Sequence, residues 1–215
     1  MHVIDLTHTI CEDMPVYPGT EPPKLQTANT IERDGFRETL LTMYSHTGTH
    51  MDAPAHLYAG RITLDAFPVS QFVGRGLVID CSHLSEGGRI TMEDVDRKRA
   101  LADRADFLLF RTGWSDFWGT DRYFGDYPVV TPEVVDYLIS SNKKGIGLDV
   151  IGIDPISDAG LSLHKQLFSG GDFVIIENLT NLRDLGEGLF DFFALPLKFE
   201  HADGAPIRAI GILQD

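Results

Sequence analysis

Residues 131–153, TPEVVDYLISSNKKGIGLDVIGI, carry the chain from a helix into a buried strand and decide the fold class. Thr131 offers a side-chain oxygen to the first free amides, Pro132 has its φ fixed near the helical value, and Glu133 places negative charge at the positive end of the helix dipole. Gly145 closes that helix. Residues 146–153 follow as a strand that is apolar on both faces, the pattern of a strand covered on each side. Further apolar, β-rich runs lie outward from this unit at 77–80, 107–111, 173–176, 192–199 and 207–213. Between them Thr91 caps a helix over 92–101 with Glu93 and Asp94 in its first turn, and a third helix runs over 161–168 to the stop at Gly170-Gly171. Strands alternating with helices predict an α/β fold, and the hairpin-like spacing of the last two strands predicts a mixed central sheet. No repeat, low-complexity tract or long Pro/Gly-rich linker interrupts residues 1–215, which read as a single domain.

The chain holds 18 Lys and Arg against 32 Asp and Glu, a formal net charge of −14. Its densest basic cluster, Arg97-Lys98-Arg99, sits among Glu93, Asp94, Asp96, Asp103 and Asp106 and reads as a solvated helix face. A nucleic-acid partner, which needs clustered Lys and Arg to displace counterions, is therefore not expected. Cys11 and Cys81 lack a C-x-x-C spacing and read as reduced thiols. No stretch approaches the ~20 apolar residues that span a bilayer. The first residues, Met1-His2-Val3-Ile4-Asp5-Leu6-Thr7-His8, lack the basic head and apolar run of a signal peptide. The expectation is a cytoplasmic protein with a small-molecule substrate and no membrane partner.

The chemistry concentrates in Ser45-His46-Thr47-Gly48-Thr49-His50-Met51-Asp52-Ala53-Pro54-Ala55-His56. Gly48, Pro54 and the β-branched Thr47 and Thr49 disfavour a helix here. In an extended strand His46, Gly48, His50 and Asp52 project from one face. Three of those four are ligand-type side chains, and the glycine leaves room for an ion near the backbone. Imidazole plus carboxylate suits a divalent ion such as Zn²⁺ or Mn²⁺, and three protein ligands leave a coordination position open, as in catalytic sites. His56 lies beyond Pro54, where the strand bends, and is placed to act as a general acid/base instead of a ligand. Glu177 ends the apolar run Phe173-Val174-Ile175-Ile176, where a buried carboxylate needs a cation or several hydrogen bonds to offset its desolvation. A surface strand of ordinary histidines, or a metal-binding module without catalysis, remains the competing reading of these residues.

This segment resembles the signature H-x-G-T-H-x-D-x-P-x-H of the cyclase family of metal-dependent hydrolases, which includes bacterial arylformamidases and isatin hydrolases, and matches it at every specified position. The resemblance continues through Asp5-Leu6-Thr7, Met14-Pro15-Val16-Tyr17-Pro18-Gly19, Leu109-Phe110-Arg111-Thr112-Gly113, Gly152-Ile153-Asp154, Leu195-Pro196-Leu197-Lys198-Phe199 and Pro206-Ile207-Arg208-Ala209. It implies a swivelling β/β/α fold, a central mixed sheet flanked by helices, and a homodimer or homotetramer whose N-terminal segments reach a neighbouring site. Carried over residue by residue, it implies that His46, His50 and Asp52 bind one metal and that Asp52 bridges to a second ion also held by His164 and Glu177. His56 would be the acid/base. Zinc suits the histidine-rich set, and the two carboxylates also admit manganese. The implied activity is hydrolysis of a small amide such as N-formylkynurenine to kynurenine and formate. Tyr17 stands where the arylformamidases carry a substrate-facing tryptophan, and that departure keeps open a cyclic amide or lactone as substrate. His8 and His201 fall in matching segments and read as structural.

Overall fold

The computed structural model describes residues 1–214. The strands are β1 (His2–Asp5), β2 (Lys24–Asn29), β3 (Glu38–Thr42), β4 (His50–Asp52), β5 (Val73–Asp80), β6 (Arg89–Ile90), β7 (Phe107–Arg111), β8 (Val129–Val130), β9 (Gly145–Leu148), β10 (Val174–Glu177), β11 (Leu189–Pro196) and β12 (Gly204–Leu213). The helices are α1 (Ile31–Asp34), α2 (Met92–Asp96), α3 (Arg99–Ala102), α4 (Pro132–Ser140) and α5 (Ser162–Gly170). The main sheet runs β1-β12-β11-β5-β7-β9-β10-β4, and β4 pairs back onto β12. β5, β7, β9 and β10 are mutually parallel, while β11, β12 and β4 join antiparallel. The mixed α/β expectation therefore holds. The central sheet flanked by helices holds only in part: β12 pairs with β4 at Gly204–Pro206 and with β1 at Ile210–Leu213, and this shared edge closes seven strands into a barrel-like ring.

Alternation along the strands sorts the apolar side chains into two cores separated by the sheet. Val78, Phe107, Leu109, Val174, Ile176 and Phe192 fill the barrel interior. Leu77, Ile79, Leu108, Phe110, Ile146, Leu148 and Ile175 face outward, where Val134, Val135 and Leu138 of α4 and Leu163, Leu167 and Phe168 of α5 cover them. The interior is tight at Gly147, where a Cβ would lie 2.7 Å from Leu179 Cδ1 and press on it. Helices thus cover one arc of the ring, over its parallel strands.

Several predicted boundaries shift for local reasons. The helix expected over 92–101 breaks at Lys98 (φ −125°, ψ 26°) into α2, which Thr91 and Asp94 close with a capping box, and α3. α4 ends at Ser140, before Gly145, because Asn142 turns left-handed (φ 53°) and Lys143 reaches back to the carbonyls of Ala102 and Ala105. The strand expected to reach residue 153 stops at Leu148. The next side chain, Asp149, is buried and accepts from the amides of Thr112 and Gly113 and from Thr112 Oγ1, which takes the chain out of the ladder. The last two strands occupy Leu189–Pro196 and Gly204–Leu213 instead of 192–199 and 207–213. No helix among the described residues is long and apolar enough to cross a membrane.

Candidate metal centre and active site

β4 and β10 pair antiparallel with Glu177 opposite His50 and Ile175 opposite Asp52. Cross-strand partners share a face, so His50, Asp52 and Glu177 emerge outward with Ile175, while Met51 and Ile176 point into the barrel. The fully extended reading of residues 46–52 requires correction. Only His50–Asp52 is strand, and Gly48 is left-handed (φ +66°), a conformation glycine tolerates without strain. Gly48 thus serves as the turn that folds His46 back over Asp52, and its carbonyl, not its missing side chain, enters the site.

The sequence-predicted ligands converge on the Asp52 carboxylate. Asp52 Oδ1 lies 2.6 Å from His46 Nδ1 and 3.3 Å from His50 Nε2, and Oδ2 lies 3.4 Å from His164 Nε2. Glu177 places Oε2 3.5 Å from His50 Nε2 and Oε1 3.4 Å from His164 Nε2. His164 arrives from the first turn of α5, which packs over β10. Asp52, His50, His164 and Glu177 are all buried.

Each of these three imidazoles is anchored through its other nitrogen. His50 Nδ1 donates to Gly48 O at 2.8 Å, and Asn178 Nδ2 donates to the same carbonyl at 2.8 Å. Asn178 is itself left-handed (φ 57°) and is oriented by Tyr123, whose hydroxyl donates to Oδ1 at 2.7 Å. His164 Nδ1 lies 2.6 Å from Asp154 Oδ2, and Asp154 also accepts from the amides of Leu163 and His164. His46 Nε2 lies 3.0 Å from Asp203 Oδ2. Such partners fix ring orientation and tautomer, leaving Nδ1 of His46 and Nε2 of His50 and His164 directed at the carboxylates. A further constraint sits beneath His46, where a Cβ on Gly204 would lie 2.6 Å from Nε2.

Charge follows this geometry. Burial alone would lower the His46 pKa, but Asp52 and Asp203 outweigh it and raise it to about 10. His50 and His164 are likewise raised against burial, His50 by Asp52 and Glu177, His164 by Asp154, Asp52 and Glu177. Burial would raise the Asp52 carboxyl, yet His46 and His50 hold it well below the usual range. The two carboxylates therefore stabilise positive charge at one buried point, whether protons or a metal ion carry it. Three histidine nitrogens and two carboxylates with anchored rings fit a borderline divalent ion.

His56, in the 3₁₀ turn Pro54–His56, packs against this cluster with its ring centroid 4.1 Å from that of His46. His46, Asp52 and His56 also bring potential ligand atoms within 4.8 Å of one another. Among the described residues, however, the carboxylate within ion-pair range of a His56 nitrogen is Asp203, 3.7 Å from Nδ1. Burial holds the His56 pKa below the ordinary imidazole value. Tyr17 is partly exposed, and its hydroxyl is pushed up first by burial and then by the Glu177 carboxylate. His8 stacks on Trp118 (centroids 4.0 Å apart, planes 6° apart), and burial lowers its pKa to about 4. His201 is exposed and pairs with Glu200. Neither joins the cluster. Sequence reasoning missed Asp154, which holds His164 ten residues further on, and Asn178, Asp203 and Gly204, whose partners lie far away in the chain.

A profile of the family described as Putative cyclase matches residues 4–155. The kynurenine formamidase of Bacillus cereus is 32% identical over 209 residues, which span 96% of this chain and 95% of that protein. Isatin hydrolase A from Labrenzia aggregata, solved with benzyl benzoate, superposes with a TM-score of 0.86 at 26% identity over 98% of this chain and 93% of that one. A structure described as a predicted metal-dependent hydrolase from Bacillus stearothermophilus superposes with a TM-score of 0.79 at 33% identity, over 98% and 97% of the two chains.

Proposed function

This chain belongs to the cyclase family of metal-dependent hydrolases, and on that premise we propose that it cleaves the carbon–nitrogen bond of a small amide, with N-formylkynurenine, hydrolysed to kynurenine and formate, as the substrate to try first. The observation that carries this is the convergence of His46, His50, His164 and Glu177 on Asp52, with His56 packed beside them. His46, His50 and Asp52 would hold one divalent ion, and Asp52, His164 and Glu177 would hold a second. The two oxygens of Asp52, which face different histidines, support that division. Zinc suits the donor set, with manganese as the second choice.

Divalent ions bound here acidify water and polarise the substrate carbonyl. His56 performs the proton work. Its Nδ1 faces Asp203, so Nε2 exchanges the proton, and its lowered pKa keeps it unprotonated at neutral pH. It takes a proton from the attacking water as the C–O bond forms, then gives that proton to the leaving nitrogen as the C–N bond breaks. Tyr17 offers an aromatic face to an aryl substrate. The assay is hydrolysis of N-formylkynurenine by protein loaded with Zn²⁺ or Mn²⁺ beside chelator-treated protein. Turnover above roughly 10⁴ M⁻¹s⁻¹ that disappears on chelation supports the reading. Metal binding without hydrolysis of any amide or lactone overturns it in favour of a binding module.

A second reading keeps the site and changes the bond. The superposition on isatin hydrolase A, together with Tyr17 in place of tryptophan, favours ring opening of a cyclic amide or lactone if N-formylkynurenine is not turned over. We also propose self-association into a dimer or tetramer. Ile31, Phe36, Leu40, Leu41 and Tyr44 are exposed along the β2–β3 hairpin, an apolar concentration of the kind that marks protein interfaces. Light scattering at micromolar concentration tests this, and a monomer there contradicts it.

A further inference from the structure

We propose that Asp203 is a positioning residue that holds the metal ligand His46 and the acid/base His56 with one carboxylate oxygen; the inference rests on the roles assigned to those two histidines above. His46 and His56 begin and end the eleven-residue motif, and the left-handed turn at Gly48 and the bend at Pro54 bring their rings together, 4.1 Å apart between centroids. What joins them comes from 157 residues beyond His46. Asp203 Oδ2 lies 3.0 Å from His46 Nε2 and 3.7 Å from His56 Nδ1.

The backbone fixes this placement. Gly204 pairs with Asp52 in the β12–β4 ladder, and Asp203 O accepts from Ala53 N at 2.9 Å. The carboxylate is therefore registered against the centre of the motif and spans to both of its ends. By occupying Nε2 of His46, Asp203 leaves Nδ1 for the ion. By facing Nδ1 of His56, it leaves Nε2 for the proton. One oxygen thus fixes the tautomer of His46 at 3.0 Å and, at 3.7 Å, favours by its charge the proton on Nδ1 of His56, tying ion binding to the orientation of the acid/base.

The test measures cobalt(II) affinity by competition with a chromophoric chelator, the cobalt visible spectrum, and steady-state N-formylkynurenine hydrolysis at saturating metal. The proteins are wild type, His46→Ala, Asp203→Ala, Asp203→Asn, His56→Ala and the Asp203→Ala/His56→Ala double variant. Asp203→Ala should weaken cobalt binding by roughly 10–100-fold, alter the cobalt spectrum, and lower kcat about tenfold at saturating metal with little change in KM. Asp203→Asn, whose amide oxygen still accepts from His46 Nε2, should recover most of the affinity. In the His56→Ala background the kcat effect of Asp203→Ala should vanish while the affinity effect persists, since residues acting as one unit are not additive. A purely structural role would instead lower thermal stability and leave metal affinity, spectrum and this non-additivity untouched. If His46→Ala binds cobalt like wild type, the ligand reading fails and the proposal with it. If His46→Ala loses the ion while Asp203→Ala keeps wild-type affinity, spectrum and kcat, the proposal alone is overturned.

Discussion

Replacing Gly204 with alanine tests whether the His46 ring is held where the site requires it. The new Cβ would lie 2.6 Å from Nε2 and 2.9 Å from Nδ1 of His46, whereas ordinary non-bonded contact begins near about 3.5 Å. The ring must therefore retreat by about 1 Å or the backbone must recoil. Recoil is disfavoured because Gly204 pairs with Asp52 and Ala205 with Met51 on β4. The ring has a route outward, since its side chain is 22% exposed. A retreat of that size stretches the 2.6 Å approach to Asp52 and the 3.0 Å approach to Asp203 beyond hydrogen-bonding distance. Overpacking relieved in this way should cost about 1 kcal/mol of stability, which lowers Tm by roughly 2–4 °C in a chain of this size. Displacing one ligand should cost far more in function, weakening metal binding by roughly 10–100-fold. Chelator-competition titration alongside circular-dichroism melting measures both. Gly188→Ala is the control, because nothing lies within 4 Å of a Cβ there. A Gly204→Ala protein that binds metal as tightly as wild type would refute the placement of His46.

Three further outcomes follow from the same geometry. His56→Ala should retain metal at wild-type stoichiometry and lose roughly 10²–10⁴-fold in kcat, and intact activity would remove the role assigned to it. Metal uptake should strengthen with pH: His46, raised to about 10 against burial by Asp52 and Asp203, and His50 and His164, also raised, must release protons to take an ion, so affinity should rise at least about tenfold per pH unit between pH 6.5 and 8.5, and a flat profile would contradict the charge coupling. Asp149, pushed up to about 6 by burial despite its three donors, holds its proton more tightly in the folded than in the unfolded chain. Its contribution to stability is therefore present below about pH 4 and is lost as pH rises through 6, by about 3 kcal/mol. Urea titrations across that window should show this slope in wild type and its loss in Asp149→Asn.

The cluster at the candidate site was largely legible because its sequence signal is local. His46, His50, Asp52 and His56 fall within eleven residues, and Glu177 is marked by ending an apolar strand. His164 carries no such mark and was placed only by family resemblance. The anchors Asn178 and Asp203 were illegible because tertiary geometry places them: Asn178 meets Gly48 across 130 residues and Asp203 meets His46 across 157; Asp154 lies only ten residues before the His164 it holds and went unread because nothing local marks His164 itself. His201, read as structural, faces solvent two positions from the carboxylate that enters the site. Gly48 was read as space for an ion and is instead a left-handed turn, a distinction that spacing alone does not encode. Barrel closure escaped for a related reason. It depends on a three-residue strand, β4, sharing one edge of β12 with β1, and no periodicity test resolves so short an element.

The proposed hydrolysis requires ion occupancy at Asp52. One titration decides it: metal-free protein receives Zn²⁺ or Mn²⁺ in increments, and bound metal and N-formylkynurenine turnover are read from the same samples, with Asp52→Asn in parallel. Turnover that rises with occupancy, saturates as the cluster fills, and is absent from Asp52→Asn together with the metal is the predicted result. Turnover that survives chelation, or an Asp52→Asn protein that keeps both metal and activity, would contradict it.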